Sequence, residues 1–492
     1  MRKRFQTQLE LGQIAIEDVV IPLKSRDELP PILAGLQWIF TTPAVSEEIF
    51  ALLEKHLVGD KKDTGRPGMD LWHLLVLGVI RLGLDCDYDR LEHVANYDTL
   101  VRQLMGVTAT EYGGRRFHHK TLSENTCRLD EELLAQINHI VVAHGHRELK
   151  KNAAEKLALK TDSYVLETNV HFPTDLNLLW DASRKCIELL HQLGAEGWRK
   201  DRDWKSKIKS LMRQAAKVSS RGGQQKEERT RAAVGAYLNK ARELSAKVTL
   251  SVGTLQPQIM DVRDQLKLEQ VRYFQGCLDK HIDLVDRRLL QDQKIPHEEK
   301  VFSLFEPHTE WIAKGKSRPA VELGHQLLLT TDQRHLIVDY KVMEKSRDAA
   351  ETMPLAKRLF ERFGEDSISS HSFDKGFSRV SDREELEQRI PLVVMPKKGK
   401  ASAADRAREQ AAPFVKKRRA HSAVESNINS LEHHGLNRCP DKGLSGFKRY
   451  VGLGVLSYNL HRIGQAKIAQ TRKATARAAR KKERAEVQEL AA

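Results

Sequence analysis

Paired cysteines, long apolar runs and an acidic balance are all missing from this chain. Its cysteines stand alone at Cys86, Cys127, Cys186, Cys277 and Cys439. No CxxC pair and no zinc-finger spacing occurs among them, so a disulfide framework and a structural zinc site are excluded. Reduced, mostly buried thiols are expected. The longest apolar stretch, Leu71 to Ile80, is too short to span a bilayer and reads as a core helix. The opening residues Met1-Arg-Lys-Arg-Phe-Gln6 contain no apolar segment of the secretory kind. A cytoplasmic protein that makes no use of membranes is therefore expected. Acidic residues number 67 against 82 Lys and Arg, a formal charge of +15. That surplus favours a polyanionic partner, nucleic acid above all, bound by phosphate neutralisation and counterion release. At 492 residues and 40% hydrophobic content, the chain has material for more than one core.

Residues 1–150 read as a helical N-terminal domain. Val45 to Leu57 has helical periodicity, and Gly65-Arg-Pro-Gly68 breaks the pattern. Asp70 is placed to cap the next helix, and Tyr88 to Met105 forms two short helices hinged at Asn96-Tyr97-Asp98. Small helices joined by tight turns suit DNA binding or dimerisation, and they suit an ordinary bundle equally. A first strand is expected within 157–170, the opening of a catalytic core over 151–184. A helical insertion at 185–295 follows, broken at Ser219 to Gly223. Trp198, Arg199, Lys200, Arg202, Trp204, Lys205, Lys207 and Lys209 interleave aromatic and basic groups there. Either they track a phosphate backbone or the tryptophans pack within a helical hairpin.

The rest of the core is expected over 296–463. Val301 to Phe305 looks β-like, and Val321–Thr330 with His335–Val342 makes a hairpin. Helix, strand, helix and strand then follow at 353–363, 367–373, 382–388 and 391–395. A long helix at 416–431 and an apolar helix at 446–463 complete the core. The fold class is α/β, a mixed sheet flanked by helices. The basic tail, 464–492, reads as a helix or a disordered phosphate-binding arm.

Three acids stand out on these elements. Asp162 lies in the first strand, Asp374 closes the run from Ser367, and Glu425 lies on the helix. Two strand-borne aspartates and a helix-borne glutamate suit two Mg²⁺ ions roughly 3.5–4 Å apart, with Mn²⁺ as a substitute. Such a pair activates an oxygen nucleophile and stabilises the leaving oxygen of a phosphodiester. Gathered carboxylates repel one another without metal. Arg418, Arg419, Lys397, Lys398 and Lys400 are candidate phosphate contacts. His421 and Asn429 share the face of Glu425 and reach DNA or a bridging water, unless His421 is only a satisfied surface histidine.

Several words of the chain resemble bacterial insertion-sequence transposases with a DDE triad, in particular the ISNCY group. They are Gly65-Arg-Pro-Gly-Met69, Glu167 to Asp175 with Leu178-Leu179, Glu306 to Lys316, Phe373-Asp-Lys-Gly-Phe377, Val424-Glu-Ser-Asn-Ile428 and Gly446 to Leu460. The resemblance implies a ribonuclease-H-like core with Asp162, Asp374 and Glu425 as metal ligands. It implies Mg²⁺-dependent cleavage at the element's terminal inverted repeats, then attack of the freed 3′-hydroxyl on target double-stranded DNA. Joining two ends implies a homodimer or larger assembly. A signature of some transposase groups, Tyr and Arg before the Glu and Lys after it, is replaced here by Arg418, His421 and Glu432. That signature's DNA contacts are therefore not carried over. A metal-dependent nuclease that does not join ends is the competing enzyme, and a domesticated DNA-binding protein without chemistry is the competing binder.

Overall fold

The computed structural model describes residues 2–6, 9, 13–59, 68–149, 154–198, 204–220, 225–313 and 320–491. The break at Gly65-Arg-Pro67, the basic residues Arg199, Lys200 and Arg202, and Lys314 to Lys316 lie outside them. The chain forms two compact units, one from residues 1–169 and 312–492, the other from 170–311.

The first unit begins with helices α1 (Leu29–Thr41), α2 (Pro43–Leu57), α3 (Leu71–Gly83), α4 (Tyr88–Tyr97), α5 (Thr99–Met105), α6 (His119–Thr126) and α7 (Glu131–Leu149). Helix α3 is buried along its whole length; its one charged residue, Arg81, is paired with Asp441, as a buried charge requires. Asp70 occupies its N-cap position without capping it; the carboxylate lies 3.7 Å from the His73 ring instead. Asp98 does cap α5, accepting from the Val101 N–H.

Strand β1 (Leu157–Thr168) follows. The unit resumes at Ile312, within β2 (Glu310–Ala313), and continues with β3 (Val321–Thr331), β4 (Ile337–Val342), α12 (Asp348–Phe363), β5 (Ile368–Phe373), α13 (Val380–Arg389) and β6 (Val393–Val394). Helices α14 (Ala403–Gln410), α15 (Ala412–His421) and α16 (Ala423–Leu431), strand β7 (Arg438–Cys439) and helix α17 (Gly443–Ala491) close the chain. The sheet has seven strands in the order β2-β3-β1-β5-β6, with β4 also on β3 and β7 on β1. β1 is antiparallel to β3 and parallel to β5, and β5 is parallel to β6. It is thus a mixed sheet flanked by helices.

Alternation along the strands divides the core. Leu157, Leu159 and Leu328 pack with Leu355, Leu359 and Phe373, toward α12. Tyr164, Leu166, Leu327 and Leu329 pack with Ile428, Leu431, Phe447 and Val451, toward α16 and α17. The apolar first half of α17 is buried, whereas its basic second half is exposed through Lys481. Of the two expectations for the tail, the helix is the one observed. Asn459 pins this helix to the sheet: its amide accepts from the Ile337 N–H and donates to the Ile337 carbonyl and to Asn138. α17 lies on α1 so closely that a Cβ on Gly464 would collide with the Pro31 carbonyl. No described helix is long and apolar enough to cross a membrane.

The second unit holds α8 (Asp175–Gln192), α9 (Trp204–Ser220), α10 (Lys226–Leu255) and α11 (Val262–Leu289). Leu179, Ile187, Tyr237, Leu244, Val271 and Leu278 share its core. Trp198 is buried, its indole N–H donating to Ser251 at 2.8 Å. Trp204 sits under the Lys240 ammonium, 4.0 Å from the ring centre. These tryptophans take the packing role. The expected strand at 301–305 is absent: Leu304 is buried and Val301 packs on the same helical core. Side-chain burial there overrides β propensity.

Candidate active site

Asp162 is the middle of β1, and the register pairs its neighbour Thr161 with Phe373 on β5. The residue after Phe373 is Asp374, so parallel pairing brings the two acids to adjacent strands at one level. Asp374 leaves β5 and caps the short turn Lys375–Phe377, its carboxylate accepting from the Gly376 N–H. Glu425 is exposed in the first turn of α16, the helix packed on β1. The expected single helix over 416–431 is two, α15 and α16, parted at Ser422. The Ser422 hydroxyl donates to the Arg419 carbonyl, a local bond that competes with the helix ladder.

The electrostatics tie these groups together. Asp162 accepts from the Ser163 N–H at 2.7 Å. Burial nonetheless pushes its carboxyl up to about 7, and the charges of Asp374, Asp348 and Glu425 push the same way. The one ammonium on the same face of β1, that of buried Lys160, donates to the Asp332 carbonyl and is itself lowered by burial. Among the described residues, the charges acting on Asp162 are those of the other acids.

Asp348 is the member that sequence reading missed. It is half-buried at the start of α12 and accepts from the Ser163 hydroxyl at 2.7 Å. Burial raises its carboxyl, with Asp374 adding to the effect. A Cβ on Gly376 would meet its Oδ2 at 2.6 Å, which accounts for glycine in the word Asp374-Lys-Gly-Phe377. The signal is hidden because Pro354 suggests a helix beginning at Met353, whereas α12 starts at Asp348 with Pro354 inside it.

His421 is turned inward. Its Nδ1 lies 2.9 Å from the Ser372 hydroxyl on β5. Burial lowers its pKa, while Asp374 and Glu425 work in the other direction. Of the basic candidates, Lys398 and Lys400 are exposed on the loop after β6, and the Lys398 charge is felt by Asp348. Lys397 is half-buried, its backbone N–H bonded to Glu409. Arg418 lies 3.5 Å from Glu409; Arg419 and Asn429 are exposed.

Carboxylate oxygens are hard donors of the type that suits Mg²⁺ or Mn²⁺. Asp162, Asp348, Asp374 and Glu425 do not bring three ligand atoms within 4.8 Å of one another. Among the described residues, only Glu92, His118 and His119 bring three ligand atoms all within 4.8 Å of one another. There the Glu92 carboxylate accepts from the His119 backbone N–H at 2.6 Å, and His118 caps α6. No protein-family model, curated protein or solved structure matches the chain.

Proposed function

We propose that the protein is a DNA transposase, cleaving phosphodiester bonds at the ends of its element and joining them to target DNA. The observation that carries this reading is the parallel register of β1 and β5, which brings Asp374 level with Asp162, with Glu425 on α16, the helix packed on β1. Burial of carboxyl groups that raise one another is more often a feature of a functional site than of a structural ion pair. The strand order β4-β3-β1-β5-β6, antiparallel on one side of β1 and parallel on the other, supports a ribonuclease-H-like core. The basic excess of the chain and its resemblance to DDE transposases point the same way.

In this reading Asp162, Asp374 and Glu425 hold Mg²⁺, with Asp348 and Ser163 fixing the ground beneath them. Bound there, Mg²⁺ supplies Lewis acidity and an oxygen nucleophile at neutral pH. Ser163 positions Asp348 through its hydroxyl and Asp162 through its N–H. Arg418, Arg419, Lys398 and Lys400 hold the phosphate backbone, and two chains pair the two DNA ends.

The test is strand cleavage and joining on DNA carrying the flanking ends of the gene, with Mg²⁺ or Mn²⁺, comparing wild type with Asp374→Asn. Cleavage and joining by wild type, and binding alone by the variant, is the expected outcome. Cleavage without joining would make the protein a nuclease. Binding by both without reaction would make it a DNA-binding protein.

A further inference from the structure

The corner between α4 and α6 holds a polar cluster that the carboxylate chemistry does not use. Asp89 and Glu92 lie three positions apart on α4 and share one of its faces. His118 and His119 are the N-cap and the first residue of α6. Buried Asn96 of α4 fixes how the two segments meet. Its side chain accepts from the Phe117 N–H at 2.9 Å and donates to the Phe117 carbonyl at 2.8 Å. His118 is the next residue, so a backbone already held in place delivers both histidines to the acidic face of α4.

The contacts converge on one point. Glu92 Oε2 lies 2.6 Å from the His119 backbone nitrogen and 3.0 Å from His119 Nδ1. Asp89 Oδ1 lies 3.7 Å from the same ring nitrogen. The two imidazole rings are 4.2 Å apart. His118 Nδ1 accepts from the Lys120 N–H at 3.3 Å, so it carries a lone pair. Glu92, His118 and His119 each bring a ligand atom to within 4.8 Å of the others. Around a tetrahedral zinc ion, with bonds of about 2.0–2.2 Å to nitrogen and oxygen, ligand atoms stand roughly 3.3 Å apart. The 3.0 Å and 3.7 Å separations at His119 bracket that spacing. Each contact taken alone is a helix-cap bond or an ion pair. Two imidazoles facing two carboxylates form a mixed nitrogen and oxygen donor set, which suits zinc and not the hard cations.

We propose that Asp89, Glu92, His118 and His119 bind one zinc ion, which clamps α4 to α6. Half-buried Glu92 and His119 form the fixed side of the site, and exposed Asp89 and His118 close over the ion from solvent. The ion lies open to solvent exchange on that side, so no part of the fold has to open for it to enter. Its role is structural: an ion held by both segments stabilises the folded corner by its own binding free energy. The site shares no residue with the carboxylate site and does not depend on the chemistry proposed there.

The experiment uses the full-length chain carrying Asp374→Asn and Glu425→Gln, so that the carboxylate site does not compete for metal. Calorimetric titration with Zn²⁺ should give one ion per chain, and Co²⁺ in its place should give the visible absorption of a tetrahedral site. His118→Asn keeps an N-cap acceptor and removes the imidazole. Glu92→Gln keeps an acceptor for the His119 N–H and removes the charge. Each should weaken zinc binding at least about tenfold, with circular dichroism confirming the fold. Zinc should raise the melting temperature of the parent chain and leave that of a His118→Asn, His119→Gln chain unmoved. Excess Mg²⁺ should not displace the ion. No zinc bound by the parent chain, or zinc bound as tightly after both histidines are replaced, would overturn the proposal, and so would displacement by Mg²⁺. None of these results bears on strand cleavage, so the transposase reading stands or falls separately.

Discussion

The helical unit and the carboxylate site treat acidic side chains in opposite ways. In the helical unit the acids find cations. Glu299 pairs with Arg287 at 2.6 Å and Glu188 with Lys205 at 3.1 Å, and Asp286 is paired with Arg242. Accordingly Glu188 and Glu299 are held below the usual carboxylate range by those partners, Glu188 against the opposing effect of burial. At the site Asp162 and Asp348 are pushed up, because burial and other acids surround them. A chain with a surplus of Lys and Arg could have neutralised these acids and does not. On the reading proposed above, this is where a divalent cation binds.

The comparison breaks most completely if Glu425 proves dispensable. Glu425→Gln removes one anionic ligand and should lower cleavage at least about a thousandfold while leaving DNA binding intact. Activity within tenfold of wild type would remove Glu425 from the site.

The second effect is on stability. The Asp162 carboxyl is raised in the folded state, so the folded protein resists its ionisation. Stability is retained below the ordinary aspartate range near 4 and falls as pH rises toward 7. Asp162→Asn keeps an acceptor for the Ser163 N–H and carries no charge. Without metal it should match wild type near pH 4 and exceed it at pH 8, by on the order of 2 kcal/mol after solvent screening. Mg²⁺ should in turn stabilise wild type more at pH 8 than at pH 6, and the variant little at either. Denaturant melts at the three pH values check this; a difference independent of pH would refute it.

A histidine remote from the acids provides the contrasting sign. Burial on α7 lowers His139 to about 4, with the Arg362 charge assisting. The folded state therefore refuses a proton that the unfolded chain accepts. Stability from this group is full above about 6.5 and is lost as pH falls toward 4. His139→Gln should flatten that decline by on the order of 1–2 kcal/mol, read from melts at pH 7 and pH 5. An unchanged slope would count against it.

The smallest change is expected at the basic rim. Arg418→Ala with Arg419→Ala should weaken duplex binding uniformly across sequences and lower the slope of log K against log salt by about 1–2. An unaltered slope would show that neither arginine touches phosphate.

Much of this architecture is legible in the amino-acid sequence. Asp162 in a strand, Asp374 at the end of another and Glu425 on a helix follow from period-2 and helical patterning around each residue. The hairpin at β3 and β4 announces itself by the turn-rich Thr331 to Arg334 between two strand-like runs, and the helix from Gly446 by its apolar residues. Asp348 does not, because a proline mimics a helix start five residues late. Val301 to Phe305 carries strand residues, yet it has no strand partner and spends its apolar side chains on a helical core.

What the sequence determined by itself was local: the amphipathic periods, the basic excess and the residue types able to bind a hard cation. What only the tertiary structure decided was proximity. The parallel register of β1 and β5 sets Asp162 beside Asp374, and the Ser163 hydroxyl reaches Asp348 at the start of α12. Strand pairing joins residues hundreds of positions apart through backbone hydrogen bonds that every sequence possesses. The lowered dielectric and shared burial that raise Asp162 exist only once those segments have closed upon one another.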